Sequence, residues 1–268
     1  MSRLRVVVVV LTLLCASCRS DEITLSYRFS AGTTTEYLMR ANATAEWDIG
    51  GGGGGTSSLL IRVRETVEKV EAGNATMEVS MFPQEASGAG LLAPGAERRS
   101  FKLRVGTDGG VQEVLEINGI PARVLRPEER TLIGTFRVPL PAFSVGLFDT
   151  WAAPLGVGSE VGLGGTEIRG TLERLDTEIG RQTAHLSYSG RGPLSWTVSL
   201  PQGRATLNGE ALTDITAKFD IAGGFLTSAE STTSGTFELR VARGRAQAPL
   251  SGSLSFVLDL EIVRSSEV

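Results

Sequence analysis

Apolar and polar residues alternate along many short stretches of this chain, and this period of two restricts the fold more than any other feature. In one stretch, Phe101, Leu103 and Val105 bracket Lys102 and Arg104. Successive side chains of a β-strand point to opposite faces, so each stretch predicts a strand with one face on a core and one in water. The pattern favours antiparallel sheets, because parallel sheets are usually covered on both faces. Similar stretches occupy residues 59–67, 76–81, 237–241 and 254–262.

Glycine-containing segments separate the alternating stretches, and helical patterns are scarce. Asp108-Gly109-Gly110, Asn208-Gly209 and Gly223-Gly224 predict turns, where the chain takes positive φ angles. The best helix candidate is short, at residues 127–133. The six glycines at 50–55 predict a mobile surface loop. We therefore expect an all-β fold, mainly antiparallel, forming a curved sheet, half-barrel or sandwich from two similar units with at most one or two short helices.

Two segments 105 residues apart predict an internal duplication. Residues 64–71 read Arg-Glu-Thr-Val-Glu-Lys-Val-Glu, and residues 169–176 read Arg-Gly-Thr-Leu-Glu-Arg-Leu-Asp. The apolar residues of each copy, such as Val67 and Val70, are spaced by three, which breaks strict alternation and predicts a β-bulge at the same place in both. The alternative is that any two amphipathic hairpins look alike.

The first residues of the chain match a secretion signal. Arg3 and Arg5 precede a run at residues 6–14 in which only Thr12 is not strongly apolar. As a helix, this run would rise about 13 Å, well short of the roughly 30 Å hydrocarbon core of a bilayer. A signal peptide therefore fits the run better than a permanent membrane span.

The five residues that follow, Leu14-Cys15-Ala16-Ser17-Cys18, resemble the processing box of bacterial lipoproteins. In that family the cysteine after two small residues is lipidated and becomes the new N-terminus. The resemblance implies that Cys18 carries acyl chains such as palmitate and holds the protein on a membrane of the cell envelope. Arg19 rather than Asp follows, which by the same resemblance implies the outer membrane, facing the periplasm. Cys15 departs from the pattern, and the alternative is an ordinary signal peptide cut near Ala16 or Ser17.

These features predict a processed N-terminus followed by one packed domain. Residues 1–17 form the signal peptide, and residues 18–22 form the lipidated N-terminus and a short tether. Residues 23–120 form the first β unit, residues 121–141 a proline-rich junction, and residues 142–268 the second β unit, packed with the first.

A wider resemblance rests on Leu25-Ser-Tyr-Arg-Phe29, on Gly32, and on Val-x-x-Val before a glycine turn. Together with the lipidation motif, these are similar to a widespread group of uncharacterised bacterial lipoproteins. In that group a second half opens with a Pro-Val-x-Val-Gly-Asp-x-Trp-like stretch, which corresponds here to residues 140–151, with two residues inserted. The architecture also resembles the lipoprotein-localisation and lipid-carrying lipoproteins, which are half-barrels over an apolar cavity. The resemblance implies lipid binding and carries over no catalytic residue.

Residue types suited to catalysis are scarce. The chain has 1 His and 2 Cys, so a zinc site with several His or Cys ligands is excluded. The histidine, His185, falls on the polar parity of its strand, and no Gly-x-Ser-x-Gly motif accompanies it. Scattered aspartates show no signature that joins a pair for glycosidic chemistry. We expect no enzyme, no metal and no cofactor, and the net charge of −4 argues against a nucleic-acid partner.

An apolar ligand or lipid is the expected partner besides the membrane. A curved sheet must cover its concave face with helices or with a ligand, and helices are scarce here. The alternative is a structural lipoprotein that closes as a sandwich and docks an envelope protein through its loops. The expected ligand contacts are aromatic: Trp151, Phe148, Phe143, Trp47 and Trp196.

Overall fold

The structure, a computed structural model, describes most of the chain after the predicted tether. Its described residues are 22–48, 51–88, 98–125, 137–154, 167–178, 180–200, 203–242 and 250–265, without the side chains of 178, 194–200, 203–205 and 242. The lipidation candidate Cys18 and the predicted helix at 127–133 lie outside the described residues.

The described residues form twelve β-strands and one short 3₁₀-helix. The first half contains β1 (Thr34–Trp47), β2 (Gly53–Glu71), β3 (Asn74–Ser87), β4 (Arg99–Val105), β5 (Val111–Ile117) and β6 (Ile120–Pro121), followed by the 3₁₀-helix (Ala122–Val124). The second half contains β7 (Thr150–Pro154), β8 (Glu167–Glu178), β9 (Arg181–Leu200), β10 (Gly203–Asp220), β11 (Phe225–Ala242) and β12 (Leu250–Arg264).

All twelve strands belong to one curved, unclosed antiparallel sheet. Their order is β6-β5-β4-β3-β2-β1-β12-β11-β10-β9-β8-β7. The first strand pairs with the last, from Tyr37 opposite Arg264 to Trp47 opposite Leu254. This central pairing joins the two halves of the chain, and β6 and β7 lie at the edges. The all-β, mainly antiparallel prediction is confirmed in its curved-sheet form.

The predicted bulges are present at equivalent places in the two halves. The register between β2 and β3 shifts between Val67 and Lys69, and that between β8 and β9 shifts between Leu172 and Arg174. The extra residue is the one that breaks the alternation in each copy. The strands of both halves also run across the sheet in the same order, which supports a duplication.

The inner face of the sheet carries the core in three clusters. One lies under β1–β5 and β12, and a second combines β7–β11 with residues 23–29 and 138–145. A third, smaller cluster at the other end of the long strands contains Ala45, Leu207, Phe237 and Leu254. The outer face is polar and carries exposed ion pairs, each of which contributes little to stability.

Residues 23–29, which we name the crossing segment, connect the two halves at one end of the sheet. The backbone N–H of Tyr27 donates to the carbonyl of Thr107 (2.7 Å), in the β4–β5 turn. The next N–H, of Arg28, donates to the carbonyl of Gly224 (2.9 Å), in the β10–β11 turn. The N-terminal chain therefore closes one end of the curved sheet before β1 begins.

The turn predicted at Asn208-Gly209 is wrong. Both residues lie inside β10, opposite Glu238 and Phe237 of β11. A Cβ on Gly209 would lie 2.2 Å from the carbonyl oxygen of Thr236. The glycine thus permits close approach of two strands rather than a change of direction.

The prediction of a mobile loop at residues 50–55 is wrong for residues 53–55. Residues 53–55 start β2 and pair with residues 45–47 of β1. The indole of Trp47 covers Gly53, where a Cβ would lie 2.8 Å from the ring. A glycine run can therefore be ordered where its lack of side chains makes room for a neighbouring ring. Residues 49–50 lie outside the described part of the chain.

Candidate functional site

A row of small side chains lies along β1 on the inner face of the sheet. It consists of Ala41, Ala43 and Ala45, which occupy alternate positions of the strand and are all buried. Residues directly opposite each other in an antiparallel pair share a face. The alanines are therefore flanked on one side by larger residues of β12, in register: Leu260, Leu258 and Phe256.

The side chains of β12 that flank this row are half-buried although they face inward. Every inward position of β1 from Tyr37 to Trp47 and of β12 from Leu254 to Ile262 is apolar. Because the alanine side chains are shorter than those beside them, we infer a shallow depression along β1. We name this surface, the three alanines with Leu258, Leu260 and Phe256, the β1 groove. It is an apolar surface within reach of solvent, without a charged side chain at its inward positions.

Small residues continue across the middle of the inner face on β10 and β11. Ala211 and Thr213 of β10 lie opposite Gly235 and Thr233 of β11. The hydroxyl oxygens of Thr213 and Thr233 are 3.0 Å apart and form a hydrogen bond. Small residues therefore lie on both sides of β12, whose inward leucines and phenylalanine are the larger side chains at the centre of the sheet.

The outer face has two open grooves of a different character. One, of about 530 Å³, is lined by Arg40, Asp214, Glu230, Asp259 and Glu261 among others. The other, of about 940 Å³, has mixed lining that includes Glu210, Glu238 and several serines and threonines. Charged and hydroxyl groups along both grooves make them poor receptors for an apolar molecule.

The aromatic residues predicted as ligand contacts do not gather in one place. Trp151 is buried in the second cluster, edge-on to Tyr188, and its indole N–H donates to the carbonyl of Pro139 (3.2 Å). Trp47 packs at the margin of the third cluster, next to the end of the β1 groove. The other three positions are as follows: Phe143 and Phe148 are exposed, and the side chain of Trp196 lies outside the described residues.

A buried ion pair, Arg137 with Glu65, joins the segment before β7 to β2. A guanidinium N–H of Arg137 donates to Oε2 of Glu65, and another donates to the Met77 sulfur (3.2 Å). The guanidinium also lies over the rings of Tyr27 and Phe29, 5.5 and 5.8 Å from their centroids. The exposed fractions of the two charged side chains are 11% and 4%. The pair thus fixes the crossing segment and the connecting chain against the first half.

Burial dominates the electrostatics of this ion pair. Desolvation raises the pKa of Glu65, while the positive charge and hydrogen bond of Arg137 oppose that rise. The other carboxylate oxygen, Oε1, has no hydrogen-bond partner among the described residues. Burial also raises the pKa of Tyr27 and of Tyr188, which keeps both phenols neutral. The arrangement holds segments together and offers no nucleophile beside a base.

The sequence contained a signal for the buried carboxylate that the prediction missed. Glu65 falls on the same parity as Val63 and Val67, so the alternation itself places a charged side chain on the core face. A charge in that position needs a buried partner. Its partner, 72 residues away, has no local pattern that singles it out.

Three further observations concern metal binding, membrane spanning and the histidine. In the described ranges, no three His, Cys, Asp or Glu side chains cluster in a way that would hold a metal ion. No helix in those ranges has the length and apolar character needed to span a bilayer. His185 lies on the polar face, with its Nε2 3.2 Å from a carboxylate oxygen of Asp176.

Comparisons with known proteins give remote structural likeness and no family. No family model matches the chain, and no curated protein matches it. Among solved structures it is similar to lipovitellin, in a structure described as "Lipid-protein interactions in lipovitellin", with 10% identity and a TM-score of 0.45. The match covers 89% of this chain and 25% of that one, so the chain spans about a quarter of that protein's length. A likeness of this size assigns no site, ligand or family.

Proposed function

We propose that this chain is a bacterial envelope lipoprotein, anchored through Cys18, that binds an apolar ligand or lipid on the inner face of its sheet. The β1 groove is the observation that carries the ligand proposal. Its alanines are shorter than the side chains beside them, and Leu258, Leu260 and Phe256 flank them with apolar surface that is only half-buried.

An alkyl chain is the ligand chemistry that suits this groove. The inward positions of β1 and β12 beside it are all apolar, and on the other flank the hydroxyl of Ser57 in β2, opposite Ala43, is a buried polar group. Each methylene that leaves water for such a surface contributes about 0.8 kcal/mol. A slender, flexible chain also follows a narrow row of alanines better than a rigid ring system does.

The anchor proposal rests on the sequence at residues 14–18. Only five steps of chain separate Cys18 from Ile23, where the described fold begins to pair. A lipid on Cys18 would therefore keep the sheet beside the bilayer in which alkyl chains reside.

Ligand binding is tested with the chain from residue 19 onward, purified without detergent. We expect an organic extract of the protein to contain lipid by mass spectrometry, and the protein to bind a fluorescent fatty acid. Ala43→Leu fills the row of alanines with a larger side chain that overlaps the ligand, and is expected to weaken binding about tenfold. Thr44→Leu is the matched control, because the next residue of the same strand points outward.

Two results would contradict this proposal. An empty extract with no fatty-acid binding would reject the ligand, and stoichiometric cross-linking to one envelope protein would then favour the interaction role. For the anchor, the intact mass of the mature protein from cells should show acyl chains on Cys18. A bare thiol at that residue would reject the anchor.

A further inference from the structure

Three large apolar side chains are exposed on one short loop, residues 142–149, which we name the apolar loop. The exposed fractions are 55% for Phe143, 42% for Leu147 and 70% for Phe148. Single exposed apolar residues are common on protein surfaces, whereas grouped ones are typical of a contact with a partner or a membrane.

The apolar loop is held firmly, so the exposure is not that of a frayed segment. Val145 at its centre is buried, and its backbone N–H and carbonyl each pair with Ile23 at 2.9 Å. The carboxylate of Asp149 accepts a hydrogen bond from the N–H of Gly146 (2.8 Å). The N–H of Phe148 donates to the carbonyl of Leu172 (2.7 Å).

The backbone conformation of Phe148 also indicates that its ring has a role outside the fold. Its φ angle is +65°, in the left-handed region that a bulky residue rarely adopts. Glycine or asparagine would fit this position with less strain. Since the ring is mostly exposed, packing within the fold does not account for an aromatic residue there.

The N-terminal tether places this loop next to the anchor. Ile23, which pairs with Val145, is five residues after Cys18. Five fully extended residues span at most about 18 Å. The head-group layer on each side of a bilayer is roughly 5–8 Å thick. A lipidated Cys18 therefore keeps the apolar loop within reach of the bilayer interface.

The charges around the loop favour apolar insertion over electrostatic binding. No Lys or Arg occurs between Arg137 and Arg169 in the sequence, and the loop's one acid, Asp149, is occupied by the N–H of Gly146. Membrane association through basic residues would need a positive cluster, which the loop does not provide.

We infer that the apolar loop inserts Phe143, Leu147 and Phe148 into the lipid leaflet that holds the acyl chains of Cys18. The loop is thus a second point of membrane contact, and two contacts fix the orientation of the sheet on the bilayer. This inference rests on the proposed anchor at Cys18 and is independent of ligand binding in the β1 groove.

A test with a substituted anchor separates this inference from lipidation itself. The chain from residue 18 with Cys18→Ser contains no cysteine, and an N-terminal histidine tag holds it on phosphatidylcholine vesicles with a nickel-chelating lipid. An environment-sensitive fluorophore is attached at Ala142→Cys, in the loop, or at Ser251→Cys, near the other end of the strands. Both residues are exposed. We expect emission at position 142 to rise about threefold, to be quenched by nitroxide on the lipid chains, and to be insensitive to salt. Emission at position 251 should not change.

A variant of the apolar loop distinguishes loss of membrane insertion from loss of folding. Phe148→Asn suits the left-handed conformation, so the Phe143→Ser, Phe148→Asn variant should unfold at about the same temperature as the parent while losing the fluorescence rise. Equal emission at positions 142 and 251, or a rise that survives in this variant, would overturn the inference. A rise that needs added envelope protein would also overturn it, in favour of a protein partner. Failure of lipidation appears separately in the intact mass, and failure of ligand binding appears in the fatty-acid titration.

Discussion

Replacing Arg137 by methionine is expected to lower the free energy of unfolding by about 3–5 kcal/mol, because Glu65 then remains buried without its partner. Methionine keeps an apolar stem against Tyr27 and Phe29, so the change removes mainly the charge and its hydrogen bonds. The structure makes this loss large: the carboxylate is 4% exposed, and its Oε1 already has no partner among the described residues. Loss of the guanidinium from the two rings adds about 0.5–1 kcal/mol for each cation–π contact.

Replacing both members of the pair gives the matched control. Glu65→Leu combined with Arg137→Met buries no charge, and apolar replacements of a buried ion pair are often neutral or stabilising. We therefore expect the double variant to recover most of the stability that Arg137→Met loses. This non-additivity distinguishes an unpaired charge from a simple loss of packing.

The loss caused by Arg137→Met should also grow with pH. Burial raises the pKa of Glu65, and Arg137 opposes this, so removing the arginine raises the pKa further. A carboxyl group whose folded pKa exceeds its ordinary value of 4.5 favours folding at low pH. That contribution is lost as the pH rises from the unfolded pKa through the folded pKa. The variant should therefore be less impaired at pH 5 than at pH 8.

Urea unfolding followed by tryptophan fluorescence and circular dichroism measures these differences. The parent, the single variants Arg137→Met and Glu65→Leu, and the double variant are compared at pH 5, 6.5 and 8. The reasoning is refuted if Arg137→Met stays within about 1 kcal/mol of the parent at every pH, or if the double variant is as unstable as the single one.

Three further substitutions test other parts of the structure by thermal unfolding. Gly170→Ala should cost about 1–3 kcal/mol, because its Cβ would lie 2.4 Å from the buried Trp151 ring; an unchanged midpoint would contradict that contact. Tyr188→Phe should stabilise by about 1 kcal/mol, since the buried hydroxyl has no partner in the described part of the chain, and a destabilised variant would reveal one. Phe148→Asn should gain up to about 1 kcal/mol by relieving a left-handed phenylalanine, and a clear loss would mean that the ring packs.

Local sequence patterns predicted the strands and the bulges because both depend on neighbouring residues. Alternation such as that of Phe101, Leu103 and Val105 decides which face a strand buries, and the structure places all three in the core. The spacing of Val67 and Val70 marks a bulge because one extra residue changes the parity of the strand.

Features that depend on distant residues were beyond the sequence patterns. Asn208-Gly209 has the composition of a turn, yet both residues lie inside β10 and pair with Glu238 and Phe237 of the neighbouring strand. The aromatic candidates were chosen as a group, but Trp151 enters the core while Phe148 faces solvent. The role of these aromatic residues in ligand binding stays a prediction. The partner of Glu65 became visible only when the fold brought Arg137 to it.

The pairing of β1 with β12 has a consequence for how the molecule assembles. β1 is the first of the described strands to be synthesised, but one of its two edges pairs with β12, the last. About 200 residues are synthesised between the two strands, and until then this edge of β1 has no hydrogen-bonded partner strand. Contacts between residues so distant in the sequence slow folding, and an unpaired strand edge can pair with other chains. A nascent chain cut short before β12 would keep two such edges, one on β1 and one on β11, and would be expected to aggregate.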